Sequence, residues 1–236
     1  MVYRIKKKIG SWNFSGKVPE NFISHAKKSI PGYSEGHDLI VSLSDFFLED
    51  GSICYDIGSS TGELLLKLSN YTNKKVKKFI GIEPEKSMLE IANKKRKKLD
   101  KKNNIKFTHN TIQKIKLGSS SMIISYYTIQ FIPPRIRQVV INKIFKSLKW
   151  GGCFVMFEKI RGEDARFQDI YTSLYNDFKE KNKLSMIEIF NKQKSLRGIL
   201  EPFSNYGNTG MLKRAGFKDI SSFYQNISFK GYLAIK

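Results

Sequence analysis

Cysteine and histidine are scarce in this chain, which holds two cysteines (Cys54, Cys153) and three histidines (His25, His37, His109) among 236 residues. Each cysteine sits inside an apolar run that reads as a strand. Both are expected as small buried hydrophobes rather than a disulfide, which excludes a disulfide-stapled scaffold. The histidines are scattered without metal-ligand spacing, so no metal is expected.

Long apolar runs are also absent. No stretch approaches the roughly 20 residues of a membrane-spanning helix. The basic start Met1-Val-Tyr-Arg-Ile-Lys-Lys-Lys8 has no apolar segment behind it and does not read as a secretion signal. A cytoplasmic protein without a membrane partner is expected. There are no internal repeats and no low-complexity linker. Hydrophobic residues make up 40%, enough to exclude disorder as the default. The length suits one large α/β domain over residues 1–236 and is too short for two comfortable ones.

Acidic residues are few beside the basic ones, 21 against 42, for a net charge of +21. Such an excess favours polyanions through counterion release. Yet no aromatic-rich RNA-binding motif accompanies the lysines, and their abundance alongside Asn and Ile reads as compositional drift. The densest run, Lys94 to Lys102, falls at the end of an expected helix, where cations suit the dipole. Contact with tRNA stays open on charge alone and is not favoured.

What is present is a strand–helix alternation. Residues 1–50 are too aromatic for a tail (Trp12, Phe14, Phe22) and read as an arm or lid, with helical spacing from Asp38 to Leu48. Strands are expected at Ile53–Ile57, Lys78–Ile82, Ile105–Thr108, Met122–Tyr127 and Cys153–Phe157. Helices are expected at Thr61–Asn70, Pro84–Leu99 and Pro134–Leu148, the last begun by a proline and ended by Gly151-Gly152. Residues 160–205 form an insertion, helical from Glu163 to about Leu200. A helix near Met211–Ala215 and two β segments, Lys218–Tyr224 and Ile227–Ile235, close the chain as an antiparallel pair. The pattern predicts an α/β, Rossmann-like fold with a mostly parallel sheet covered on both faces.

The strongest local signal is Ile53-Cys-Tyr-Asp-Ile-Gly-Ser-Ser-Thr-Gly-Glu63. A glycine straight after a parallel strand allows a tight turn and close approach of a ligand. The second signal is Phe79-Ile-Gly-Ile-Glu83, a strand ending in a carboxylate placed to accept hydrogen bonds from ribose hydroxyls. Gly58 and Glu83 therefore frame an adenosine site. The G-x-x-x-G spacing lacks the pyrophosphate-cradling glycine of the dinucleotide fingerprint. It favours S-adenosyl-L-methionine over a nicotinamide.

The chain also carries Trp12-Asn-Phe14, Ile30-Pro-Gly-Tyr-Ser34, Thr128-Ile-Gln-Phe131, Glu158-Lys159, Glu163-Asp164-Ala165, Asp177-Phe-Lys179 and Ala215-Gly-Phe217. Together with Tyr55-Asp-Ile-Gly58 and Gly151-Gly152, these resemble the carboxy-S-adenosyl-L-methionine synthase family, a branch of the class I methyltransferase fold. The resemblance implies a seven-stranded sheet, a homodimer and a reaction that carries the carboxyl group of prephenate onto the cofactor's methyl carbon. The product later serves wobble-uridine modification in tRNA.

The resemblance assigns cofactor contacts to Tyr33, Gly58, Ser59, Ser60 and Glu83, the last where the family usually has aspartate. Asp56, Pro84 and Ile112 complete the expected set. Three positions depart. Thr111, with Asn110 beside it, stands for the family's adenine-reading aspartate. Tyr126 stands for an asparagine. Gln193 stands for the arginine that holds the transferred carboxylate. A buried carboxylate needs a charge-assisted partner. Lys192 and Lys194, as helical neighbours of Gln193, are expected to face elsewhere, whereas Arg197 lies one turn on and is the expected replacement.

These departures favour an S-adenosyl-L-methionine-dependent methyltransferase acting on a small molecule, its catalytic residue unassigned. Carboxy-S-adenosyl-L-methionine synthesis is the alternative, and a non-catalytic cofactor- or RNA-binding protein a second one.

Overall fold

The computed structural model describes residues 8–16, 18–100, 102 and 104–236. The basic start at residues 1–7, and Lys101 within the lysine run, lie outside the described residues.

Two helices precede the sheet, α1 (Val18–Ser29) and α2 (Tyr33–Phe47). Then come β1 (Ile53–Ile57), α3 (Glu63–Tyr71), β2 (Lys78–Glu83), α4 (Lys86–Leu99), β3 (Ile105–His109), β4 (Ser120–Tyr126), α5 (Pro134–Ser147) and β5 (Leu148–Lys159). The insertion is α6 (Ala165–Lys181) and α7 (Met186–Leu196), and the chain closes with α8 (Asn205–Ala215), β6 (Asp219–Asn226) and β7 (Phe229–Ile235).

The seven strands lie in the order β3-β2-β1-β4-β5-β7-β6. The first five pair in parallel; β7 runs antiparallel to both β5 and β6. Strand order reverses between β1 and β4, and ligands of such sheets bind beyond the carboxyl ends at that switch point. Alternate side chains of β1 serve two separate cores: Cys54 packs with Leu65, Met122 and Val155 on one face, while Tyr55 and Ile57 pack with Ile123, Ile141 and Phe154 on the other. Cys54 and Cys153 are buried and free. Both register against Met122 from opposite sides of β4. Two strand spacings, roughly 9–10 Å, are beyond disulfide reach.

Several boundaries differ from the sequence expectation. β4 stops at Tyr126 because Tyr127 turns left-handed, φ 59. β5 begins at Leu148 and runs through Gly151-Gly152, so the glycines interrupt no helix; α5 has already ended at Ser147. The insertion is two helices. Lys183, φ 63, breaks it, and Ser185 restarts it through a reciprocal capping box with Glu188. Helix α1 was not expected, although Pro19 and Glu20 near its start and the spacing Phe22, Ala26 fit a helix. No helix among the described residues is long and apolar enough to cross a membrane.

Candidate cofactor and substrate cavity

The loop after β1 is built on residues with positive φ: Gly58 (73°), Ser60 (50°) and Gly62 (77°). A Cβ on Gly58 would lie 2.3 Å from Oγ1 of Thr128, so both conformation and space require glycine there. The amides of Gly58 and Ser59 donate to the carbonyl of Ile82 at 2.8 and 3.2 Å, stitching the loop to β2. The Glu83 carboxylate completes the stitch. Its Oε2 accepts from the Ser60 amide and its Oε1 from the Glu85 amide, both at 2.8 Å. Burial raises the Glu83 pKa, and these two amides pull it partly back. An ionised carboxylate has about four acceptor positions, so Glu83 can still receive ribose hydroxyls.

Polar atoms around this loop lack partners. Oδ1 of Asp56, Oγ of Ser59 and Oε2 of Glu63 are buried and unbonded. Burial, and then the neighbouring Glu83 charge, push Asp56 up to about 7. Buried polar groups normally find partners. A ligand bearing hydroxyls and an ammonium would supply them, so these residues fit S-adenosyl-L-methionine.

The loop opens into a cavity of about 350 Å³ at the carboxyl ends of β1, β2, β4 and β5. Its walls include Tyr33, Asp56, Gly58, Ser59, Ser60, Glu83, Pro84, Thr111, Ile112 and Tyr126. Asn110 is not in the wall. Its amide donates to the Glu83 carbonyl and its Oδ1 accepts from the Thr111 amide, so it shapes the loop from behind. Met88 and Gln113 line the same cavity as Pro84, Thr111 and Ile112 without having been expected.

Three tyrosines from three elements pin the turn at Pro31-Gly32-Tyr33 over this cavity. Tyr175 of α6 donates to the carbonyl of Ser29 (2.8 Å), Tyr224 of β6 to that of Pro31 (3.1 Å) and Tyr126 of β4 to that of Tyr33 (2.7 Å). The rings of Tyr33, His37 and Tyr126 pack within 5.4 Å of one another, centroid to centroid. Burial pushes both phenols well above the ordinary range and lowers His37 to about 3, so all three are neutral near pH 7.

The other end of the cavity departs from expectation. Gln193 and Arg197 are exposed and do not line it; Lys192 does. Ile189 is buried and Leu196 also lines the cavity, so the inward face of α7 is Ile189, Lys192, Leu196. That is the i, i+3, i+7 spacing of one helix face. The Lys192 ammonium donates to Oγ of Ser29 (3.1 Å) and to Nε2 of His25. It also lies 5.3 Å from the Trp12 ring centroid. Burial, then the charge of Lys192, lower His25 to about 4. Lys159 and Tyr175 share this end of the cavity, with the Lys159 ammonium 4.4 Å from the Tyr175 ring centroid. Lys179 stands 4.1 Å from the same centroid.

Glu158 points to the opposite face of β5 from Lys159. Its Oε1 accepts from the Ile129 amide. Arg137 beside it holds the carbonyls of Gln130, Ile132 and Glu201. Burial dominates there and raises Glu158 to about 8, with Arg137 opposing. Glu158 is thus a framework residue outside the cavity wall.

Residues 54–152 match the methyltransferase domain family. The chain is 36% identical over 226 residues to the carboxy-S-adenosyl-L-methionine synthase of Staphylococcus epidermidis, covering 95% of this chain and 97% of the relative. It is 32% identical over 225 residues to the Desulfotalea psychrophila synthase (95% and 92% covered) and 31% to that of Campylobacter lari (95% and 94%). Among solved structures, an S-adenosyl-L-methionine-dependent methyltransferase from Aquifex aeolicus superposes with TM-score 0.61 at 17% identity, covering 92% of this chain and 97% of that one. The cyclopropane synthase MmaA2 from Mycobacterium tuberculosis gives 0.61 at 14% identity, covering 80% and 62%. The architecture is the class I methyltransferase fold.

Proposed function

The chain belongs to the carboxy-S-adenosyl-L-methionine synthase family, and on that premise we propose that it joins a carboxyl group to the methyl carbon of S-adenosyl-L-methionine, with prephenate as donor. One observation carries this reading. The glycine loop shares a single cavity with the Pro31-Gly32-Tyr33 turn and with Lys192 of the helical insertion. A cofactor loop alone fits any methyltransferase; a cavity with a cationic end fits one whose second substrate is an acid.

In this reaction the methyl carbon gives up a proton and its electron pair bonds to the carboxyl carbon. The donor's bond to that carbon breaks, the released pair aromatises the donor's ring and expels its ring hydroxyl as hydroxide, and the methyl proton joins that hydroxide, so that phenylpyruvate and water leave. The protein's part is alignment and exclusion of water. Glu83 receives the ribose hydroxyls, held in place by the loop whose Gly58, Ser59 and Ser60 amides are bonded to β2. Tyr33 and Tyr126 wall the cavity with uncharged rings. The preference for a small-molecule methyltransferase rested on the departures at Thr111, Tyr126 and Gln193. Thr111 and Tyr126 do line the cavity, but Gln193 lies outside it and Lys192 brings a cation into it, so the ground that came from the missing arginine falls away.

A homodimer is part of the proposal. Helices α6 and α7 expose Phe167, Ile170, Leu174, Met186, Ile187 and Phe190, each at least 43% accessible. Apolar surface of this extent on neighbouring helices supports coverage by a second copy.

The test is incubation of purified protein with S-adenosyl-L-methionine and prephenate, followed by mass spectrometry. The expected product is the cofactor heavier by one carboxyl group. Recovery of unmodified cofactor with prephenate, alongside a methylated small-molecule acceptor, would restore the methyltransferase reading.

A further inference from the structure

Lys159, Lys179 and Lys192 come from β5, α6 and α7; Lys159 and Lys192 line the cavity, and Lys179 reaches Tyr175, which lines it too. Lys159 and Lys179 each stand over the ring of Tyr175. Phe229 lies 5.9 Å from Lys159, and Trp12 caps Lys192. None of the three has a carboxylate partner among the described residues, where the one ion pair is Lys67–Asp38 on the surface. Glu158 is on the far face of β5 with Arg137, and Glu188 is engaged with Ser185 at the start of α7.

Burying cations without counterions is costly. The strain shows in their titration. Burial, then Lys179 and Lys159, bring Lys192 down to about 7; burial, then Lys179 and Arg161, bring Lys159 to about 8; burial alone brings Lys179 to about 8. Such clusters mark functional sites.

The donors are also unspent. An ammonium carries three N–H bonds. Lys192 uses two, on His25 and Ser29, and faces the cavity with the third. Lys159 has no hydrogen-bond acceptor among the described residues and lines the same cavity. Glu83 ends β2 and Lys159 ends β5, three strand spacings or roughly 14 Å apart. The cationic end is therefore separate from the nucleoside frame.

We propose that Lys159 and Lys192, backed by the charge of Lys179, are the seat of one carboxylate of the acidic co-substrate. This rests on the reading of the cavity as a joint cofactor and substrate site, and it adds which residues bind the acid and why they are lysines without partners. Glu83 and the glycine loop take no part in it.

The experiment uses the full chain saturated with S-adenosylhomocysteine, which lacks the reactive methyl group. Prephenate and the monocarboxylate phenylpyruvate are titrated in by calorimetry at pH 7. Both should bind the wild-type protein. Lys159→Met and Lys192→Met should each weaken binding at least tenfold, leave S-adenosylhomocysteine affinity within twofold, and raise the melting temperature of the ligand-free protein, because each removes an unpaired buried cation. Lys192→Arg should retain most of the binding.

A structural lysine would behave oppositely, with a lower melting temperature and unchanged acid affinity. The proposal is overturned by that result, or by failure of both acids to bind the wild-type protein. The functional reading fails separately, if the acids bind through these lysines and no carboxylated cofactor forms.

Discussion

The phenol of Tyr126 donates a 2.7 Å hydrogen bond to the carbonyl oxygen of Tyr33, locking the end of β4 to the turn that covers the cavity. The bond needs Gly36. A Cβ there would lie 2.2 Å from the Tyr126 oxygen and 3.0 Å from the ring carbon that carries it. The hydroxyl and the missing methyl are two halves of one packing solution.

Gly36→Ala should therefore destabilise the protein by about 1–3 kcal/mol through overpacking. Tyr126→Phe should cost about 1 kcal/mol for the lost hydrogen bond. In the double variant the clashing oxygen is gone, so the combined loss should be smaller than the sum. Urea unfolding of the four proteins measures this coupling. Strict additivity would show that the two residues do not share the space.

Glu83→Ala should reduce S-adenosylhomocysteine affinity by roughly 10- to 100-fold. The substitution removes the ribose acceptor and leaves the Ser60 and Glu85 amides without their partner. Glu83→Gln offers one carbonyl oxygen in place of two carboxylate oxygens and should fall between wild type and alanine. Calorimetric titration checks the order. Equal affinity in all three would remove Glu83 from the site.

The pH dependence of stability carries a lysine signature. The folded-state pKa of Lys192 is lowered from 10.5 to about 7. Between those values the unfolded chain holds a proton that the folded protein has released, so this group makes stability rise with pH across the window. Lys192→Met should flatten that rise. In the same range, acid binding to the wild-type protein should weaken as Lys192, and then Lys159 and Lys179 near 8, lose their protons. The groups facing Lys192 are His25, Lys159 and Lys179. His25 is already neutral above about 4 and does not contribute to the change. Melting curves and titrations at pH 6 to 10 follow both effects.

Leu174→Glu on α6 should convert the proposed homodimer to a monomer, since it puts a charge into an apolar stripe that is 48% exposed at this residue in the single chain. Light scattering after size exclusion gives the mass directly. A wild-type monomer at micromolar concentration would end the dimer proposal, and an unaffected dimer in the variant would move the interface elsewhere.

Much of the fold could be read locally. Apolar runs located the first five strands to within a few residues, and the glycine-bearing turn after Ile57 and the acid at Glu83, singled out together in the sequence, do line one cavity. Errors arose where a local rule met a stronger distant one. Gly151-Gly152 read as a helix stop, yet strand pairing carries β5 through them. Asn110 read as a ligand contact, yet the Thr111 amide claims its side-chain oxygen.

The cationic end shows the limit most clearly. Adjacent residues on a helix differ by about 100° in direction, so an alignment that names Gln193 says nothing about which way α7 is turned. Ile189 and Leu196 carried the signal, since Lys192 lies on the face they define, but that face becomes decisive only when the helix packs on the body.

The sequence by itself determined the strand–turn–helix alternation and the glycine loop after β1, because backbone conformation and apolar periodicity are set by residues close along the chain. Only the tertiary structure decided that Tyr126, Tyr175 and Tyr224 hold one turn and that Lys159 and Lys179, from different elements, meet around one ring with Lys192 lining the same cavity. Those contacts join residues up to 193 positions apart. Their geometry follows from how helices and sheet pack together, which no local stretch of sequence specifies.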